Sequence, residues 1–90
     1  MAKAIVDPEE LRRFAHDLKR FNDELHNNLT LLHGRLEALG ETWRDQEQQK
    51  FREEFEQTMR VLGRFSAAAN QHIPFLLRKA ERIEEYLQQR

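Results

Sequence analysis

Apolar side chains recur every three or four residues along most of this chain, and that spacing leaves room for little besides long helices. In the first part they fall at Leu11, Phe14, Leu18, Phe21, Leu25, Leu32 and Leu39, with Asn28 and Arg35 as polar interruptions. Steps of three, four and seven keep one stripe on one helical face, the pattern of a coiled-coil seam. Asp7 is a fitting N-cap, Pro8 suits the first helical position, and Glu9 and Glu10 face the positive end of the helix dipole, Glu10 at capping-box spacing. Gly40 follows the last apolar residue, where helices commonly stop. A first helix is therefore predicted over about 8–39, roughly 48 Å long.

A second seam runs through Phe51, Phe55, Met59, Leu62, Phe65, Ala69 and Ile73, and the pattern resumes after Pro74 at Leu76, Ala80, Ile83 and Leu87. Thr42 and Asp45 have the spacing of a second helix start. The expected organisation is one helical-hairpin domain over 1–90: helix to 39, turn 40–42, second helix about 43–73, and a kinked helical extension 75–89, because Pro74 removes a backbone donor. A turn at Glu41-Thr42 makes opposed residues sum to about 83 in an antiparallel pair. Leu32 is then expected opposite Phe51, Leu25 opposite Met59, Phe21 opposite Leu62, Leu18 opposite Phe65, and Phe14 opposite Ala69.

The totals agree with an all-α chain and exclude several functions. Three Gly and two Pro allow few turns. Formal net charge is −1, with basic and acidic residues mixed along both halves, so there is no basic patch for nucleic acid. No cysteine is present, so neither a disulfide framework nor thiol chemistry is available. No apolar run approaches the roughly 20 residues of a membrane span, and the first residues do not read as a signal peptide. The chain is expected in the cytosol, or outside the cell by a route that uses no cleaved signal.

Enzymatic residues are not legible. There is no phosphate-binding glycine loop and no nucleophile–base constellation. Asp23 and His26 have a spacing that two metal ligands could share, but a di-iron bundle needs a matching element on the second helix, and the residue three before His72 is Ala69. No metal and no cofactor are expected. Glu53, Glu54 and Glu56 beside Lys50, Arg52 and Arg60 read as a solvated face, with Glu56–Arg60 at helical pairing distance.

The hairpin leaves apolar surface over. Leu29, Leu31 and Leu36 widen the stripe of the first helix, and Phe75, Leu76, Leu77, Ile83, Tyr86 and Leu87 have no intramolecular partner in the expected register. A two-helix hairpin cannot enclose a core. These residues are the candidate partner-binding surface, and pairing into a four-helix bundle is expected. Asn28, at a seam position, is a candidate register-setting residue.

Gly40, Trp43 and Asp45 in the turn, with Phe51 and Phe55 entering the second helix, carry a resemblance to the WXG100, or ESAT-6-like, family of small bacterial proteins. The resemblance implies a helical hairpin pairing as a homodimer or heterodimer with a similar small protein. It also implies a substrate or partner of type VII secretion, with a secretion ATPase as a candidate contact. Two positions depart from the family pattern. Trp43-Arg44-Asp45 stands for Trp-x-Gly, and Tyr86 is followed four residues on by Arg90 instead of the acidic residue of the export signal. The reading from a different class is a cytosolic scaffolding coiled coil with no export role.

Overall fold

The computed structural model describes residues 6–89, which form two helices: α1, Pro8–Leu39, and α2, Gln46–Gln88. They pack against each other as a long antiparallel hairpin with overall extents of 69 × 21 × 14 Å. The smallest extent is little more than one helix diameter. The molecule is a slab two helices wide and one thick, with two broad faces open to solvent.

Local chemistry sets the ends of α1. The Asp7 carboxylate accepts a hydrogen bond from the backbone N–H of Glu9 at 2.9 Å, and Pro8 occupies the first turn. At the other end Gly40 keeps a right-handed helical conformation (φ −64°, ψ −15°), so no left-handed glycine ends the helix. What the position requires is space. A Cβ there would lie 3.3 Å from the Glu37 carbonyl oxygen and also touch the side chains of Gln48 and Arg52 from α2. The Trp43 N–H closes the turn by donating to the Leu39 carbonyl at 2.9 Å.

α2 starts three residues later than the sequence implies. Thr42 does not cap it; its hydroxyl donates to the Leu39 carbonyl of α1. Asp45 is the N-cap, in extended backbone (φ −90°, ψ −176°), accepting from the Gln48 N–H at 2.9 Å. The turn therefore spans 40–45 and not 40–42. α2 then continues without interruption through Pro74, so residues 75–88 are the end of that helix and not a separate extension.

The cross-helix register also differs from the expected one. His33 lies against Glu56 where Lys50 was expected, Asn22 meets Asn70 and Ser66 in place of Val61, and Phe21 meets Phe65 in place of Leu62. The C-terminal part of α2 consequently has an intramolecular partner after all. Ala80 is fully buried, and Glu84 is paired with Arg12 near the start of α1.

Among the described residues the most buried part of the hairpin is mostly small side chains, flanked by larger aliphatic ones. Ala15, Leu36, Ala69, Ala80 and Asn22 are its buried members. Leu11, Leu18, Leu25, Leu29, Met59, Leu62, Ser66, Ile73, Leu76 and Ile83 are half-buried around them. On α1 the inward rows are thus 11/18/25 and 15/22/29/36, each repeating every seven residues. The row 14/21, predicted to lie inside, is turned out.

Candidate functional site

Five of the six phenylalanines are exposed: Phe14, Phe21, Phe51, Phe65 and Phe75, at 42–58 %. Only Phe55 is half-buried. The exposed rings share one side of the slab. Phe21 and Phe65 meet edge to face across the helices at 6.3 Å. Nearer the turn, Leu32, Leu39 and Phe51, all exposed, line an open groove with Arg35, Leu36 and Phe55. The half-buried Trp43 ring packs on Phe51 at 5.8 Å, and Phe51 stacks on Phe55 at 5.5 Å. The α2 row 51/65/86 ends at Tyr86, and the adjoining row 61/68/75 adds Val61, Ala68 and Phe75. The result is a largely apolar face running along the hairpin, interrupted by Asn28 and Arg35 on α1 and by Thr58, His72 and Lys79 on α2.

The opposite face is polar and laces the helices together. At the open end Arg12 pairs with Glu84, through Nη1 to Oε2 at 3.2 Å and through Nη2 to Oε1, and with Glu9 at 2.8 Å. The hydrogen bond from Arg12 holds the Glu84 carboxyl below its ordinary pKa, against the opposing effect of desolvation. Midway, the buried Asn22 Nδ2 donates to Asn70 Oδ1 at 3.0 Å and to the Ser66 carbonyl at 3.4 Å, while its own Oδ1 has no partner. At the turn end Arg52 pairs with both Glu37 and Glu56, and His33 lies 3.7 and 3.9 Å from those same carboxylates. Residues 12 and 33 are three heptads apart and share one row, whereas 14 and 21 occupy another about 200° round the helix. Cross-helix polar contacts and exposed rings therefore lie on opposite sides.

The predicted partner surface is redistributed by this geometry. Leu31, Phe75, Tyr86 and Leu87 are exposed, Leu76, Leu77 and Ile83 half-buried, and Leu29 and Leu36 sit inside the hairpin because their row is the inward one. Phe14, Phe21, Leu32, Phe51 and Phe65, assigned from the sequence to the intramolecular seam, belong to the open face. Asn28 is exposed, and the buried polar residue is Asn22. Asp23 pairs with Lys19 and not His26, and Arg60 bonds Gln57 and not Glu56. Gly34 and Gly63 are exposed, with nothing close to where a Cβ would stand. Arg90 lies outside the described residues, as do residues 1–5.

A family model for WXG100, proteins of 100 residues with WXG, matches residues 4–87. The chain belongs to the WXG100 family. Among solved structures it resembles the secreted protein EsxB from Bacillus anthracis strain Sterne at 28 % identity and a TM-score of 0.78, over 96 % of this chain and 98 % of that one. A point mutant of EsxB matches at 29 % identity and 0.81, over 94 % and 96 %. A second mutant matches at 28 % and 0.77, over 94 % and 98 %. No curated protein sequence matches. As a WXG100 protein the chain is a small, secretion-related helical hairpin of a family that is not enzymatic. No helix among the described residues is long and apolar enough to cross a membrane. The departure at Trp43-Arg44-Asp45 also has a structural account. The third motif position is the N-cap of α2, in extended backbone open to any residue, and an aspartate caps a helix at least as well as a glycine.

Proposed function

We propose that this chain works by recruiting a second helical hairpin onto its apolar face, and that the resulting four-helix bundle is the form handled by a type VII-like secretion system. The second hairpin is another copy of the chain or a related small helical protein, and the secretion ATPase is the further partner of this reading. One observation carries it: Phe14, Phe21, Leu32, Leu39, Phe51 and Phe65 are all exposed on one side of a slab one helix thick. Fully burying one such side chain is worth about 1.5–3 kcal/mol, so covering the row is worth several times that before the cost of association. Among the described residues no element is left to cover them, since both helices are already packed on each other. The likeness to a secreted EsxB supports export as the destination.

The test is export in the organism that encodes the chain. Tagged protein is expected in the medium when the secretion ATPase gene is intact and to accumulate inside the cell when it is deleted. Retention in the cell in both strains would overturn the export reading and favour a cytosolic scaffold.

A further inference from the structure

We propose that the turn end of the hairpin holds a divalent transition-metal site built by His33, Glu37 and Glu56. His33 and Glu37 are one helical turn apart on α1, a spacing that puts two ligands on one face, and Glu56 reaches the same point from α2. The His33 Nε2 lies 3.7 Å from a Glu37 oxygen and 3.9 Å from a Glu56 oxygen, and one ligand atom from each residue falls within 4.8 Å of the others. Metal–ligand bonds of about 2.0–2.2 Å in a tetrahedron put ligand atoms roughly 3.3 Å apart. Small torsional adjustments of the exposed His33 and Glu37 and the half-buried Glu56 close that gap, and water completes the shell. One imidazole and two carboxylates suit zinc and its neighbours better than calcium or magnesium, which favour all-oxygen shells.

The site already attracts a cation. The Arg52 guanidinium bridges Glu37 and Glu56, so the position where both carboxylates converge is the one a metal would take. Binding is therefore a competition in which the ion displaces Arg52 from the two carboxylates; Arg52 already borders the adjacent open groove with Gln48 and Arg44. An ion held there ties α1 to α2 at the turn end through three ligands where a monovalent arginine ties two. This proposal does not depend on how the apolar face is used.

Titration of tag-free protein with zinc by calorimetry, and with cobalt by visible absorption, tests it. One ion per chain is expected, with a rise in thermal midpoint on adding zinc. His33→Ala and Glu56→Gln should each weaken binding about tenfold or more, a loss of roughly 1.4 kcal/mol, with helicity by circular dichroism unchanged. Arg52→Gln should strengthen binding, because it removes the competing cation and leaves the ligands in place. No binding by the parent chain, or binding equally strong in His33→Ala and Glu56→Gln, would overturn the proposal; so would weaker binding in Arg52→Gln.

Discussion

At the scale of single residues the chain sorts its side chains by size. Alanines, Leu36 and one asparagine are the buried residues between the helices, and five of the six phenylalanines stand outside. Asn22 is the exception that costs something: it is 2 % exposed, and its Oδ1 has no hydrogen-bond partner. A buried acceptor left unpaired costs about 1–3 kcal/mol, which offsets the net return of about 1 kcal/mol from each of the two hydrogen bonds that Nδ2 donates. The polar balance is close to zero, and a buried leucine adds apolar burial worth about 1.5–3 kcal/mol. Asn22→Leu is therefore expected to stabilise the hairpin by about 1–2 kcal/mol; its partner Asn70 is exposed and finds water instead. Denaturant unfolding measures this, and a lower midpoint would contradict it. The sequence pointed to Asn28 for this part because that residue falls in the aromatic row. Rows 14/21/28/35 and 15/22/29/36 both repeat every seven residues, and periodicity alone does not say which faces inward. Size does: Ala15 with Ala69 and Ala80 lets the backbones approach, which Phe14 and Phe21 would prevent.

At the scale of elements, what was legible was what is local. Asp7, Pro8 and Gly40 fix the ends of α1 within a turn of themselves, and the predicted 8–39 matches the observed Pro8–Leu39. The start of α2 was not legible, because Thr42 and Asp45 are both competent caps and the choice depends on Trp43 turning back to the Leu39 carbonyl. The cross-helix register differs from the expected one at Phe21–Phe65, His33–Glu56 and Asn22–Asn70, and gives the last turns of α2 a partner in α1. That register brings His33, Glu37 and Glu56 together, a grouping that no spacing within one helix could announce. The Arg12–Glu84 contact at the open end has a sign that pH can read. The carboxyl of Glu84 is held below its ordinary value in the folded chain, so its contribution is present above the ordinary carboxylate range and is lost as pH falls through the depressed value. Titration of the Glu84 carboxyl by NMR should show this depression, and Arg12→Ala should return it to the ordinary range. An unchanged Glu84 titration in that variant would show that the ion pair does not form in solution.

At the scale of the whole molecule, a slab one helix thick has two faces, and this chain makes them unlike. One is tied across by Arg12–Glu84, Asn22–Asn70 and the His33–Glu37–Arg52–Glu56 group, and the other is a run of rings from Phe14 to Trp43. The hairpin class and the surplus of apolar surface could be read from periodicity and turn chemistry. The face on which the surplus lies could not, because it follows from the register. The account stands on the claim that another chain covers this face, and the measurement nearest to it is the mass in solution of the parent chain, of Phe21→Ser, and of each mixed with any co-encoded small helical protein, by sedimentation equilibrium at micromolar concentration. The account predicts a dimer or a one-to-one complex for the parent, and dissociation to a still helical monomer for Phe21→Ser. A parent chain that stays monomeric both alone and in the mixture, or a Phe21→Ser variant that associates as tightly as the parent, would contradict it.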